Sequence, residues 1–320
     1  MWQLFKNEWI KLWSKKQNWF FIGALIIITI FVGIMHNQLM SDPYASETGD
    51  WQVGLEMEIA HQEEIIATTD EEWEKEWAQE LINEHEAYLE AGVDPTATTN
   101  MTFINSTLLG IASFITLFSV IVSSTIVSSE VNSGTIKQLV IRPYERWQFL
   151  LSKFMIVVVY MLILIATLFI TNFLIGTIFY EAGSFSDPII ERSFMGETAE
   201  WTVGPLIFAK IGLYILNTLV FIVISFSLST LFKNQALAVG IGIFTLFATS
   251  MLSQSLVFFL EDTAWFKFIF ISHLNLPQYV AQETLMEGVT LPFSLVVLSI
   301  YVIVFLAITT VFFQKRDIAY

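Results

Sequence analysis

The fold class predicted for this 320-residue chain is an all-α integral membrane protein with six transmembrane helices, and three observations predict it. Hydrophobic residues make up 55% of the chain and charged residues 14%, where a soluble chain carries about 45–50% and about 25%. Apolar runs recur that are long enough to cross a ~30 Å hydrocarbon core, a distance that takes ~20 helical residues. The Lys and Arg residues between those runs fall mainly on one side.

The elements follow in order. Residues 1–17, MWQLFKNEWIKLWSKK and the next residue, place Trp2, Phe5, Trp9, Leu12 and Trp13 on one helical face, with Lys6, Lys11, Lys15 and Lys16 mostly elsewhere. That is the pattern of an interfacial amphipathic helix, and the tryptophans and the missing small-residue cleavage site argue against a secretory signal. The spans are expected at 18–36, 103–128, 154–180, 206–232, 236–260 and 293–313. Lys210 falls near the end of the fourth, where a lysine extends to the headgroups.

With the N-terminus inside, Lys6, Lys11, Lys15, Lys16, Lys137, Arg142, Arg146, Lys153, Lys233, Lys315 and Arg316 are cytoplasmic, against Lys75, Arg192, Lys210 and Lys267 outside. This bias predicts two cytoplasmic termini, 314–320 being the tail.

The net charge of −15 belongs to one loop: residues 37–102 hold 17 of the 30 acids and a single base, Lys75. It gives no basic footprint for nucleic acid. Within that loop Trp51, Leu55, Ile59 and Ile66 fall near one face of a first helix. A second helix is expected from a capping box, Thr69 with Glu72, through a stripe of Trp73, Trp77, Leu81 and Tyr88 to a C-cap at Gly92. The two stripes predict an acidic extracellular helical hairpin. Its acids read first as a solvated face, with a cation or cationic-peptide site as the sharper alternative. Residues 181–205 form an outer loop with little pattern, and 233–235 a tight cytoplasmic turn. In 261–292 the apolar run WFKFIFISHLNL is too short to cross and is expected to be re-entrant or interfacial.

Between spans two and three lies the polar segment 129–153. It carries Lys137, Arg142, Arg146 and Lys153, and Pro143 divides it into two short helical pieces. No G-x-x-x-x-G-K-[ST], G-x-S-x-G or H-E-x-x-H occurs, so phosphate-loop, serine-hydrolase and zincin chemistry lack their motifs. There is no cysteine, hence no disulfide, thiolate metal site or cysteine nucleophile. His36, His61, His85 and His273 are scattered, and no metal site is expected. The span centres carry no ionisable group, which argues against an ion-coupled carrier or a voltage sensor. Energy for any transport should then enter through the 129–153 loop.

Neutral polar groups do occupy the spans. Asn105, Ser113, Thr116 and Ser123 approximate one face of the second, Asn217 lies in the fourth, and Thr245, Thr249 and Gln254 in the fifth. Residue by residue, interhelical packing and hydrogen bonding is the favoured role. Together these groups would suit a path for an amphipathic or lipid-like substrate. Gly240 and Gly242 would let neighbouring helices approach closely.

The topology, the pattern Glu130, Gly134-Thr135, Leu139, Arg142-Pro143, Arg146, Lys153 and the ending Phe313-Gln314-Lys315-Arg316-Asp317-Ile318 together resemble the ABC-2 type permeases, membrane subunits of bacterial ATP-driven exporters. The resemblance implies a non-enzymatic subunit in the bacterial cytoplasmic membrane whose loop is a coupling helix seated on a separate ABC ATPase. ATP and Mg would be bound by that partner and no cofactor by this chain. A second permease chain, identical or different, would complete the unit. Gly134 would turn the chain out of span two, Arg142 and Arg146 would meet ATPase acids, and Pro143 would set the angle between the pieces. The bland alternative for these bases is membrane anchoring. The long acidic outer loop is similar to that of peptide-resistance and immunity-type permeases. The alternative function is a non-transporting sensor or immunity protein whose hairpin binds a ligand and whose loop docks a signalling partner.

Overall fold

The computed structural model describes residues 1–39, 50–134, 144–193, 196–232, 234–260, 263 and 265–315; the side chains of 39, 250, 253–255 and 257–259 are outside that description. Thr135, Lys137, Leu139, Arg142, Pro143, Lys233, Arg316 and the side chain of Gln254 therefore lie outside the described residues.

The described chain runs α1 Trp2–Ser14, α2 Lys16–Leu39, α3 Trp51–Thr68, α4 Glu72–Ala91, α5 Asn100–Ile126 and α6 Ser128–Asn132. It continues with α7 Arg146–Phe179, β1 Pro188–Arg192, β2 Thr198–Thr202, α8 Val203–Leu231, α9 Gln235–Leu260 and α10 Leu291–Lys315. Among the described residues, five helices are long and apolar enough to cross a membrane: α2, α5 with α6, α7, α8 and α10. This is a multi-pass, predominantly helical membrane protein. The helix α9 has 26 residues, and its described apolar part is Gln235–Thr249.

Side-chain bonds fix the order of the bundle. Tyr160 Oη donates to Asn18 O at 3.0 Å, and Arg146 Nη1 to Gln314 O at 3.0 Å. The first sets the start of α2 against the middle of α7, and the second brings the start of α7 and the end of α10 together at what is here the loop end. Opposite, at the hairpin end, His36 Nδ1 lies 2.7 Å from Tyr180 Oη. One apolar core, including Leu12, Phe21, Ile115, Tyr160, Leu164, Ile222 and Phe313, joins α1, α2, α5, α7, α8 and α10. The broad faces of α2, α9 and α10 stay exposed, with Ile27, Phe244 and Ile303 among them, as lipid contact requires.

Several local expectations are corrected. The loop after α7, expected to carry little pattern, is a two-stranded β-hairpin within the helical fold, pairing Pro188↔Thr202 through Arg192↔Thr198. Its Ile190 is buried, and Gly196 supplies a left-handed φ of 81° between the strands. The Thr69–Glu72 capping box does not form. Thr69 instead accepts from Glu71 N at 3.3 Å and donates to the Glu74 carboxylate. The α4 face turned inward is Ala78, Ile82 and His85, while Trp73 and Trp77 are exposed. The two helices do pack as a hairpin, and α4 ends on Gly92 at φ 63° with Val93 N donating to Tyr88 O.

Residues 266–280 make three short 3₁₀ turns, Phe266–Phe268, Phe270–His273 and Leu276–Val280. Leu276 shares a core cluster with Val220 and Ile224 of α8, whereas Val280 and Ala281 share one with Leu206. The segment therefore packs against α8 through two neighbouring apolar clusters.

Candidate functional site

The helix α1 buries Leu4, Glu8 and Leu12, one every fourth residue. A glutamate on a buried face needs paired cations, and two supply them. Lys153 Nζ, on the first turns of α7, lies 2.8 Å from Glu8 Oε2 and 2.7 Å from Glu130 Oε1. Lys11 Nζ lies 2.8 Å from Glu8 Oε1 and 2.8 Å from Glu130 Oε1. Two carboxylates and two ammoniums thus form a closed neutral quartet with side chains of Lys153 and Glu8 only 4% and 6% exposed. Burial pushes the Glu8 carboxyl upward, but Lys153 and Lys11 outweigh it and hold the group below its ordinary value. Burial likewise works against the Lys11 ammonium, yet Glu130 and Glu8 hold its pKa above the ordinary range.

Position gives this quartet its meaning. Glu130 sits on α6, just before the loop, and Lys153 just after it. Both feet of the loop are therefore tied to each other and to α1. The break between α5 and α6 is also held: Ser229 Oγ of α8 accepts from Val127 N at 3.1 Å and Ser128 N at 3.0 Å. At these residues the helical ladder is interrupted, so the hydroxyl replaces the carbonyl acceptors they lack. Gly134 then takes φ 72° beyond the last residue of α6, a conformation favouring glycine. Arg146 opens α7 and donates to the last turn of α10, where a cation meets the negative end of a helix.

Of the sequence-predicted loop residues, Glu130, Gly134, Arg146 and Lys153 thus stand in the described foot of the loop. Sequence reasoning overlooks Glu8 and treats Lys11 only as an anchor. The one signal for Glu8 is its spacing with Leu4 and Leu12, which puts an acid on an otherwise apolar strip.

At the hairpin end a second charged group closes over a cavity. Lys210 Nζ of α8 is 2.7 Å from Glu191 Oε1 of β1 and donates to Asn105 Oδ1 of α5 at 2.8 Å. Asn105 Nδ2 in turn donates to Glu191 Oε2 at 3.1 Å. Lys210 does not extend to the headgroups as expected: its side chain is 5% exposed, because the carboxylate and amide satisfy it inside. Next to it, Arg192 pairs with Glu84 at 2.8 Å and Glu80 at 3.2 Å and stacks over Trp77, joining α4 to the sheet.

Beneath lies a cavity of about 540 Å³ between α5, α8, α9 and residues 274–281. Four of the polar span residues singled out above line it: Ser113, Thr116, Asn217 and Thr249. Asn105 stands at its roof through Lys210. Thr245 is not among its lining residues, and Ser123 instead donates to Ile222 O at 2.9 Å, an interhelical packing bond. Thr116 also ties α5 to α8, lying 2.6 Å from Tyr214 Oη and 3.1 Å from Thr218 Oγ1. The helix α9 closes on α5 through Gly242, where an added Cβ would come 2.5 Å from Ser124 Oγ. Gly240 makes no such approach.

His273 Nδ1 lies 2.7 Å from Ser294 Oγ, but both residues are fully buried and Tyr279 Oη caps the serine at 2.6 Å. Among the described residues no three His, Asp or Glu side chains converge on a metal-sized site.

Residues 77–319 match the family described as Protein of unknown function (DUF2705). The chain is similar to Uncharacterized protein YhcI of Bacillus subtilis (strain 168), 31% identical over 334 residues that span 100% of both chains. It is also similar to Uncharacterized membrane protein YdbK of the same organism, 30% identical over 200 residues covering 62% of this chain and 76% of that protein. No solved structure matches. The chain belongs to the DUF2705 family.

Proposed function

We propose that this DUF2705-family chain is the permease subunit of an ATP-binding-cassette exporter, moving an amphipathic substrate outward while a separate ATPase subunit hydrolyses ATP. In this reading α9 is the sixth span, both termini are cytoplasmic, the α3–α4 hairpin is extracellular, and a second permease chain completes the unit. The observation that carries the reading is the quartet of Glu8, Lys11, Glu130 and Lys153. It makes the loop a handle rather than a tether. A push on residues 135–145 reaches α1, α5 and α7 together, because pulling Glu130 or Lys153 away from α1 would strip partners from charges held in a buried setting. Ser229 passes the same displacement to α8. The cavity supports the second half of the reading, since it lies between the helices that the handle would shift.

The test is co-expression with an ATPase subunit that carries a phosphate loop. Copurification of the two chains is expected, with ATPase activity stimulated by one member of an amphiphile panel. An Arg142→Glu, Arg146→Glu chain should lose that stimulation. If it assembles and responds to substrate unchanged, the coupling assignment is wrong. Transport by the purified chain alone, driven by an ion gradient, would overturn the exporter reading.

One observation favours a second reading, a sensor that does not transport. The Arg192 bridge to Glu80 and Glu84 joins the outer hairpin to the strand that holds Lys210, a route from a ligand on the hairpin to the bundle. A docked signalling protein in place of an ATPase in the copurified complex would favour it.

A further inference from the structure

The cavity between α5, α8, α9 and residues 274–281 is charged only at its roof, and each charge there is already paired. Glu191 gives one carboxylate oxygen to Lys210 and the other to Asn105. Lys210 is held by Glu191 and Asn105, and Arg192 by Glu84 and Glu80. An ionic guest of either sign would meet no unpaired counter-charge. It would have to break a pair or enter uncompensated, which is costly away from water.

The open hydrogen-bonding groups are uncharged. Along one face, α8 presents Lys210, Tyr214, Asn217 and Phe221 to the cavity. Asn217 Oδ1 is shielded from solvent and has no partner. Thr249 of α9 lines the cavity and is 4% exposed, yet its hydroxyl makes no hydrogen bond among the described residues. By contrast Thr167, Thr171 and Thr310, in other helices, each donate to the carbonyl four residues earlier. The carboxamides of Asn275 and Gln278 also line the cavity and have no partner among the described residues. Three carboxamides and a hydroxyl thus border one chamber, each able to donate and to accept.

The floor beneath them is apolar, since Phe221 and Leu246 share a cluster with Leu117. The helices α8 and α9 run in opposite directions across a short turn. One turn from that cluster toward the roof, each helix reaches its polar member, Asn217 or Thr249. Phe114 and Phe247 add aromatic surface that is 37% and 53% exposed. The volume of about 540 Å³ falls within the ~300–1,000 Å³ of small-molecule sites. Water satisfies groups like those of the belt, and a guest that displaces it keeps the bonds only if its head carries several groups that donate and accept. Adjacent hydroxyls do so without a charge, whereas a lone alcohol answers one residue of the four.

We infer that this cavity is a binding site for an uncharged amphiphile with a polyhydroxylated head, a sugar or polyol, seated among Asn217, Thr249, Asn275 and Gln278, its apolar tail directed toward Leu117, Phe221 and Leu246. The binding site stands on geometry alone; its role as the transported class rests on the exporter reading.

The experiment uses the full chain, purified without glycoside detergent and placed in nanodiscs of zwitterionic lipid. Four probes share one tail length: dodecyl glucoside, dodecanol, dodecyltrimethylammonium and laurate. Binding is read by native mass spectrometry, and each variant is first checked for an unchanged melting curve. Dodecyl glucoside should bind at least about tenfold more tightly than either ionic probe and about fivefold more tightly than dodecanol. Asn217→Leu and Thr249→Val should each weaken it about fivefold, the scale of one neutral hydrogen bond. Leu246→Trp, which fills the floor, should abolish binding, while Phe244→Trp on the exposed face of the same helix should not change it. Either ionic probe, or dodecanol, binding as tightly as the glucoside overturns the inference. Equal glucoside binding to parent, Asn217→Leu and Thr249→Val also overturns it, since the probe is then elsewhere. Selective glucoside binding while no ATPase copurifies refutes only the exporter reading; no such selectivity with an intact ATPase complex refutes only this site.

Discussion

Replacing Lys153 by Met tests the handle most directly. The substitution keeps the stem that packs at the start of α7 and removes the ammonium. Two contacts disappear, at 2.8 Å to Glu8 and 2.7 Å to Glu130. Two carboxylates, 6% and 13% exposed, are left to share Lys11, whose side chain is 39% exposed. Breaking a buried pair by deleting one member costs about 3–5 kcal/mol, most of it the stranded charge. Glu8→Gln is milder, because Lys153 and Lys11 each keep Glu130; one charge-assisted bond at each lysine is weakened, for about 1.5–3 kcal/mol. In the double variant the stranded Glu8 charge no longer exists, so the combined loss should fall short of the sum by about 1–3 kcal/mol. Reversible unfolding in mixed micelles at neutral pH measures all four corners of the cycle. Additivity within about 0.5 kcal/mol would show that Glu8 and Lys153 do not communicate, and the handle would be refuted.

Other expectations follow from single contacts. Since the Glu8 pKa is depressed, its contribution is present above the ordinary carboxylate value of 4.5 and is lost as pH falls through the lower folded value; an acid unfolding series should show this limb in the parent and a flattened one in Glu8→Gln. Ser229→Ala should cost about 1–3 kcal/mol by leaving the amides of Val127 and Ser128 without their acceptor, and hydrogen exchange at those two amides should rise. Gly134→Ala should cost about 1–2 kcal/mol of left-handed strain at φ 72°, read as a lowered unfolding midpoint. Lys210→Glu should destabilise the hairpin end, and adding Glu191→Lys should recover most of the melting temperature; failure of the rescue would mean that the 2.7 Å pair is not what holds β1 to α8.

Five long apolar helices were legible because lipid imposes one requirement on many consecutive residues. The helix α7 starts at Arg146 rather than near 154 because Glu145 and Gln148 form a reciprocal cap that hydropathy cannot register. Residues 188–202 hid their hairpin because two adjacent isoleucines carry no alternation, and the pairing comes from cross-strand partners. In α4 the large tryptophans drew the stripe to the wrong face, while the packing surface is built from Ala78, Ile82 and His85. The polar residues around the cavity were found by type and periodicity. Glu8 and Glu191 were not, because each acquires its role from a lysine more than a hundred residues away or on another element.

The length of α7 carries a mechanical consequence. Its 34 residues contain no proline, so it is one stiff rod of about 51 Å. Its first turns hold Lys153 in the quartet, and its last turn is followed by Tyr180, which touches His36. A rod of that length acts as a lever across the bilayer. A tilt of about 5° pivoted at one end carries the other by about 4 Å, roughly the width of a hydrocarbon chain. In the proposed exporter, an angular change too small to break any helix hydrogen bond would therefore suffice to widen or shut a passage at the far surface.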